Sequence, residues 1–184
     1  MEILKTFREI TMERNHVKIH NKIQKYVPDL LSVEKVGVFM VDTGNKDYIY
    51  TITEYETDDK GIPFITQTAK YPSNIGLTGQ AIESQSVVKY HKIKDAEEKK
   101  KNNIEDPKAA FLGEVDNYAE VHIVKNALYG PLIDGDGNVT GCIQLMNKKG
   151  SDDFNEEDLE EFRTVLGVIA TTVKNANESF KILK

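Results

Sequence analysis

Lys148 and Asp158 are the two charged residues whose spacing could do chemistry most directly. They lie on either side of Phe154, where an apolar run meets the start of an amphipathic helix. A lysine, an aromatic and an acid across such a strand-to-helix corner predict a tie that holds the two elements together. Catalysis would need a cleft and a second titrating group, which the sequence does not indicate, so we expect the pair to be structural.

Two histidines have the spacing of metal ligands on a helix. His16 and His20 are four residues apart in the first helical segment, so their side chains share one face. The pattern His-Glu-x-x-His is absent from the sequence, and no cysteine or acidic cluster lies beside them. We therefore expect two solvent-facing histidines and no metal site.

Cys142 and the segment 134–138 are two further candidates for chemistry. Cys142 is the one cysteine, which excludes an intrachain disulfide, fits a reducing compartment and predicts a small buried apolar residue. The segment 134–138 begins like a calcium loop, but Val139 and Leu145 stand where that loop needs glycine and glutamate. It is predicted to be a hairpin turn.

Composition limits the class of protein. The chain is 39% hydrophobic, which suffices for a core, and its net charge of −6 argues against a nucleic-acid or anionic-membrane surface. It has no apolar run near the ~20 residues that span a bilayer. Its N-terminus does not read as a signal sequence, so we expect a cytoplasmic protein without nucleic-acid or membrane partners.

The elements that must position these residues are predicted from apolar periodicity. Residues 2–31 repeat at helical spacing, as one helix or two, with an interruption expected near Pro28. Strands alternate with turn signals up to a short helix at 77–85, and a lysine-rich excursion follows over 92–124. A strand hairpin and a helix from about Asn155 to the C-terminus complete the order. The order predicts an α+β fold with an antiparallel sheet.

Four segments of the sequence resemble a GAF domain, a small-molecule-sensing module of signalling proteins. They are Val38–Asp42, Gly76–Ala81, Leu132–Lys148, and Phe154 with the helix that follows it. The resemblance implies that long N- and C-terminal helices pack on one face of the sheet and a lid of short helix and loop on the other. It predicts an N-terminal helix over 1–31, a GAF-like domain over 32–177 and a C-terminal helix over 155–184 that extends out of the domain.

One signature within this resemblance points to the phosphodiesterase-type subset of GAF domains. Its members here are Asn147, Lys148, Phe154 and Asp158. The sequence departs from the subset at Leu159, which replaces a final glutamate, and at Gly37, where nucleotide-binding members have a serine. Because Gly37 has no hydroxyl group to offer a purine, the departure argues against a cyclic nucleotide.

The resemblance implies a ligand site between the sheet and the lid, and no cofactor other than a possible cyclic nucleotide. The positions that it assigns to the pocket are Val38, Met40, Ile75, Gly76, Thr78, Ile93, Asp95 and Ala127. The expected function is a regulatory module without catalysis. The sequence shows no nucleophile–base pair, and one cysteine is too few for a free methionine sulfoxide reductase built on this fold.

The last helix predicts an interaction surface. Its apolar residues step by three and four in turn, as in a coiled-coil seam. The seam residues expected to contact a protein partner or a second copy of the chain are Leu166, Ile169, Val173, Phe180 and Leu183. This seam supports an alternative function, a ligand-free assembly subunit of a larger cytoplasmic or cytoskeletal complex.

Overall fold

The computed structural model describes residues 2–92 and 124–182, with the side chains of residues 7–92 and 124–177. The helices are α1 (Glu2–Thr11), α2 (His16–Leu30), α3 (Gly76–Ser84) and α4 (Glu156–Ile182). The strands are β1 (Val33–Val41), β2 (Tyr48–Thr57), β3 (Pro63–Pro72), β4 (Val88–His91), β5 (Asn126–Ile133) and β6 (Val139–Lys148). Among the described helices, none combines the length and apolar character needed to cross a membrane.

The six strands form one antiparallel sheet in the order β3-β2-β1-β6-β5-β4, which confirms the predicted antiparallel sheet. β1 pairs with β6 from Val33 to Met40. It pairs with β2 only at Met40 and Val41, opposite Tyr50 and Ile49. The outer half of the β2–β3 hairpin therefore continues past its pairing with β1 as a two-stranded arm.

One face of the sheet packs against α2 and α4. Alternate residues along β1, β5 and β6 contact apolar residues of both helices, because successive side chains of a strand point to opposite faces. We call this cluster the helix-side core, and its buried members include Val36, Val38, Met40, Ile143 and Leu145 on strands and Ile23, Val27, Phe162 and Ile169 on helices. The terminal helices thus share one core with the central strands.

The opposite face packs against α3. Here Ala81 of α3 lies among Ala127, Tyr129, Cys142 and Met146, a cluster that we call the α3-side core. The approach of α3 is close, because a Cβ atom placed on Gly79 would lie 2.3 Å from the carbonyl carbon of Asn74. A glycine is therefore required where α3 meets the loop before it.

The N-terminal helical segment is interrupted at residues 12–15, and the predicted interruption near Pro28 is wrong. Asn15 is the N-cap of α2, and its Oδ1 accepts hydrogen bonds from the backbone amides of Val17 at 3.0 Å and Lys18 at 3.2 Å. Pro28 lies inside the last turn of α2, which continues to Leu30. The N-cap at Asn15 therefore fixes the start of α2, whereas the proline in its last turn does not end the helix earlier.

The prediction of two solvent-facing histidines is also wrong. His20 is buried, with its Nε2 3.5 Å from Oγ1 of Thr51 on β2. The Nδ1 atoms of His16 and His20 are both buried without a hydrogen-bond partner among the described residues. Burial lowers the pKa of both imidazoles, because it penalises the charged form.

The apolar seam of α4 is buried within the chain along most of its described length. Leu166, Ile169 and Val173, which were predicted to contact a partner, lie in the helix-side core. The side chain of Phe180 and all of Leu183 lie outside the described residues. The described part of the seam is therefore covered by the chain's own sheet and helices, a correction to its role as a partner surface.

Candidate functional site

The first candidate site is the corner where β6 meets α4. The Nζ of Lys148 lies 2.5 Å from Oδ1 of Asp158, and it also donates to the carbonyl oxygen of Leu31 at 3.2 Å. The two charged side chains are 14% and 11% exposed. This ion pair therefore joins the end of β6 to the start of α4 and to the end of α2.

Asp158 has a second role as part of the helix cap. Its Oδ2 accepts a hydrogen bond from the backbone amide of Asn155 at 2.9 Å, while Oδ1 of Asn155 accepts from the amide of Asp158 at 3.0 Å. Such a reciprocal cap satisfies amide groups that have no partner inside the helix. Phe154, just before the cap, is buried in the helix-side core.

Asn147 completes the corner from the strand side. It has a positive φ of 59°, a left-handed conformation that asparagine tolerates better than most residues. Its Oδ1 accepts from the backbone amide of Lys125 at 2.8 Å, and its Nδ2 donates to Oε2 of Glu34 at 2.8 Å. Asn147 therefore connects β6 with the approach to β5 and with β1.

Asn126 is a member of this corner that the sequence did not reveal. It is 2% exposed, and its Oδ1 accepts from the backbone amide of Lys148 at 2.8 Å. Its Nδ2 donates to the carbonyl oxygen of Asp152 at 2.9 Å. The side chains of Lys148, Asp158, Asn147 and Asn126 thus each connect separate parts of the chain, and together they hold the corner in place.

The second candidate site lies on the α3 face of the sheet. Nε2 of Gln144 on β6 donates a hydrogen bond to Oγ1 of Thr78 on α3 at 2.7 Å, and Thr78 is 7% exposed. Gln144 is directly opposite Gly37 in the β1–β6 register. A Cβ atom on Gly37 would lie 3.0 Å from Oε1 of Gln144, so the glycine makes room for the amide.

Gln144 was not among the predicted pocket residues, although the sequence carries a signal for it. It is a polar residue between Ile143 and Leu145 in an apolar strand. Since Ile143 and Leu145 lie in the helix-side core, strand alternation places Gln144 on the α3 face. A polar residue at such a position is a candidate for a specific hydrogen bond.

The groups around Gln144 are largely uncharged. Cys142 and Tyr129 lie in the α3-side core, and burial raises the pKa of the Cys142 thiol to about 12 and the pKa of Tyr129 well above its usual value. Cys142 is thus a protonated thiol at neutral pH and a weak nucleophile. Phe39 of β1 makes an edge-to-face contact with Tyr71, with ring centroids 5.9 Å apart.

The structure brings some of the predicted pocket residues together on this face. Thr78 and Gly76 lie on α3, Ala127 is in the α3-side core, and Ile75 is the exposed N-cap of α3. Val38 and Met40 do not join them, because their side chains point into the helix-side core. The neighbouring residues Gly37 and Phe39 are the ones that face α3. Ile93 and Asp95 lie outside the described residues. In the described part of the chain, no group of three His, Cys, Asp or Glu side chains is placed to hold a metal ion.

Comparison with known proteins gives solved structures with this architecture. No family model matches the chain. The GAF domain of a phosphoenolpyruvate-protein phosphotransferase from Acinetobacter is 15% identical, with a TM-score of 0.61 over 98% of each chain. The GAF domain of such a phosphotransferase from Coxiella burnetii is 16% identical, with a TM-score of 0.65 over 97% of this chain and 96% of that one.

Enzymes also have this architecture. The free methionine-R-sulfoxide reductase of Neisseria meningitidis, solved with its substrate, is 13% identical, with a TM-score of 0.63 over 96% of this chain and 89% of that one. The expectation that the chain is not an enzyme is thereby contradicted, because the fold on which it rested includes catalysts. At these identities the likeness establishes architecture, and the chain therefore has the fold of GAF domains.

Proposed function

We propose that this chain is a regulatory GAF-type module that binds a small molecule against the α3 face of the sheet. The observation that carries the proposal is the Gln144–Thr78 hydrogen bond, a polar pair set between a strand and α3 on a largely apolar face. Ligand sites commonly combine apolar walls with a few fixed polar groups that select the ligand. The pair supplies such a group beside Gly37 of β1, which makes room for the amide.

The amide of Gln144 has hydrogen-bonding capacity beyond its contact with Thr78. A primary amide has two N–H donors and a carbonyl acceptor, and only one of the donors is directed at Thr78. Its Oε1 lies beside Gly37, a residue without a side chain that could compete for it. A bound molecule could therefore find both a donor and an acceptor on one side chain held in position by a buried threonine.

The buried groups of this face favour an uncharged or weakly polar group in contact with Gln144. Tyr129 and Cys142 are neutral at physiological pH, and burial raises both of their pKa values further above it. Lys35, opposite Met146 in the β1–β6 register, lies on the same face of the sheet. An amide that donates and accepts at once suits the edge of a purine or of another amide. Cyclic nucleotides, the ligands implied by the phosphodiesterase-type signature, are therefore one class to test, and amino-acid derivatives are another.

The likeness to a substrate-bound reductase supports the choice of a small molecule. That protein holds its substrate on the same architecture, and the proposal extends this capacity to the present chain. A cytoplasmic setting is part of the proposal, because Cys142 is a free thiol. The output would be a shift in how the chain engages a protein partner once α3 is held against the sheet.

A thermal-shift screen of the full chain with cyclic AMP, cyclic GMP, free amino acids and methionine sulfoxide would test the proposal. We expect at least one compound to raise the melting temperature, because a ligand that binds only the folded state stabilises it. Titration calorimetry of that compound should then show about tenfold weaker binding to Gln144→Leu, a loss of about 1.4 kcal/mol. Melting temperatures unchanged across the screen would contradict the proposal.

Gln67→Leu is the matched control, because Gln67 is an exposed glutamine on β3, away from α3. The control should bind the compound as the unmodified chain does. Equal affinity of the unmodified chain and Gln144→Leu would place the ligand elsewhere and overturn the assignment of this face.

A further inference from the structure

The outer end of the β2–β3 hairpin presents apolar side chains to solvent. Tyr55, Ile62 and Phe64 are 48%, 49% and 46% exposed, and they are three of the six large apolar side chains exposed within the described residues. Tyr55 pairs with Ile65 whereas Phe64 pairs with Glu56, so Tyr55 points to the other face of the hairpin, and we call Ile62 and Phe64 the arm tip. Isolated exposed apolar residues need no explanation, but two on one face beside a turn indicate a contact surface.

The turn that carries the arm tip is held by its own hydrogen bonds. Oδ1 of Asp58 accepts from the backbone amides of Lys60 at 2.9 Å and Ile62 at 2.8 Å, and the amide of Asp58 donates to the carbonyl oxygen of Ile62 at 3.0 Å. Gly61, with a φ of 77°, takes the left-handed position that the turn needs. The tip is therefore organised before any partner arrives, which lowers the entropic cost of binding.

The turn end of the arm is anchored to the start of α2. Nδ2 of Asn15 donates to the carbonyl oxygen of Pro63 at 2.8 Å, between Ile62 and Phe64 in sequence. Asn15 thereby fixes the turn end of the arm against the start of α2.

The charge along residues 54–62 is mostly negative. Glu54, Glu56, Asp58 and Asp59 are all exposed, and Lys60 is the one basic residue between positions 54 and 62. Two copies of this chain meeting at the arm would bring these carboxylates together, which opposes self-association. These four carboxylates, which we call the acidic rim, instead complement a basic partner.

We propose that the arm tip docks a protein segment that combines apolar side chains with lysine or arginine. Ile62 and Phe64 supply the apolar contact and the surrounding carboxylates select the charge of the partner. A rim of charge acts mainly on association rate and choice of partner, and the apolar centre supplies most of the affinity. Binding at the arm is independent of the face between α3 and the sheet.

Selection of random twelve-residue peptides displayed on phage, with the full chain as bait, tests this proposal. We expect the recovered peptides to be basic and apolar, and to bind Ile62→Ser/Phe64→Ser at least about tenfold more weakly than the unmodified chain, which corresponds to about 1.4 kcal/mol. Glu56→Lys/Asp59→Lys should weaken binding too, while the Asp58 hydrogen bonds of the turn remain. Tyr48→Ser, which removes an exposed aromatic at the other end of β2, is the control and should bind normally.

Melting curves of each variant separate loss of binding from loss of folding, and exposed substitutions should leave them nearly unchanged. Peptides without a basic excess, equal binding to Ile62→Ser/Phe64→Ser, or no recovered peptide would each overturn the proposal. Sedimentation velocity tests the remaining alternative, which is that a second copy of the chain binds the arm. A dimer of the unmodified chain that Ile62→Ser/Phe64→Ser abolishes would show that a second copy occupies the arm, against the charge argument.

Discussion

The carboxylate of Asp158 contacts the ammonium of Lys148 with one oxygen, 2.5 Å away, and the first turn of α4 with the other. A single side chain therefore closes an ion pair and a helix cap together. The two residues are better understood as one joint between β6 and α4 than as a charged site.

Asp158→Ala should destabilise the fold strongly. Removing one partner of a largely buried pair leaves Lys148 uncompensated, which typically costs about 3–5 kcal/mol, and loss of the cap adds to this. Urea unfolding at pH 7 measures the effect. Asp136→Ala is the matched control, because Asp136 is mostly exposed and pairs with Lys174 at 2.5 Å, so we expect a loss below about 1 kcal/mol. Similar losses for the two variants would show that the corner does not hold the fold.

Gly37→Ser should disturb the Gln144–Thr78 hydrogen bond. The new Cβ would lie 3.0 Å from Oε1 of Gln144 and 3.2 Å from the ring of Phe39, so the amide must shift. Overpacking of this kind costs about 1–3 kcal/mol. Chemical denaturation should show this loss, and Gly37→Ser/Gln144→Ala should recover part of it. Gly135→Ser, where nothing lies within 4 Å of the new Cβ, should be nearly neutral. A neutral Gly37→Ser would contradict the close approach.

Two glycines near α4 should respond in opposite directions to alanine. In Gly130→Ala the new Cβ would lie 2.4 Å from Leu166 and 2.7 Å from Phe162, so these buried side chains must shift. In Gly167→Ala nothing lies within 4 Å, and alanine favours a helix interior by about 1 kcal/mol over glycine. Thermal melts should show Gly130→Ala lowered and Gly167→Ala raised. A melting temperature that rises for Gly130→Ala would show that α4 does not pack so closely on β5.

Stability should fall as the pH drops below about 6.5. Burial lowers the folded-state pKa of His16 and His20 from the ordinary value of 6.5, so the unfolded chain binds protons first. Stability from these groups is complete above pH 6.5 and is lost as the pH falls toward the folded pKa values, with a slope of at most about 1.4 kcal/mol per pH unit for each histidine. Urea unfolding between pH 5 and pH 8 measures this slope.

His16→Gln/His20→Gln should flatten the dependence between pH 5 and pH 6.5. The carboxyl groups of Glu13, Asp42 and Asp134, whose pKa values are also lowered in the fold, titrate below this window. They therefore leave the histidine signal distinct. An unchanged slope in the double variant would mean that other groups cause the pH dependence.

Cys142 should be unreactive in the folded chain. Its thiol is buried, and burial raises its pKa to about 12, so thiolate is scarce at pH 8. Ellman's reagent should label it slowly in buffer and completely in urea. Rapid labelling without urea would show that the α3-side core opens readily.

The antiparallel sheet was predicted from runs of strands bracketed by helices, and the failures have physical causes. β1 is apolar at Val36, Val38 and Met40 and also at Phe39 and Val41, so its pattern gives no indication of which residues face α3. Val38 and Met40 were assigned to the pocket by the family resemblance, and the pattern of β1 offered nothing to correct that assignment. The position of Gln144 could have resolved the phase, because a polar residue marks one face of its strand.

The predictions for the histidines and for the break between α1 and α2 failed for a different reason. Burial of His20 depends on contact with Thr51, a residue distant in sequence, which helical periodicity cannot reveal. Asn15 was readable as a cap, but Pro28 received more weight than a proline in a final turn warrants. Asn126 carried no local signal, because its role is defined by Lys148 and Asp152 on other elements.

The single amide of Asn15 holds the first turn of α2 with its oxygen and the arm with its nitrogen. Opening of that helical turn should therefore accompany release of Pro63, and amide hydrogen exchange would detect both together. The amides of Val17 and Lys18 would exchange at a rate that reports the state of a hairpin distant in sequence. A molecule that binds the arm would thus slow amide exchange at the start of α2 without contacting that helix.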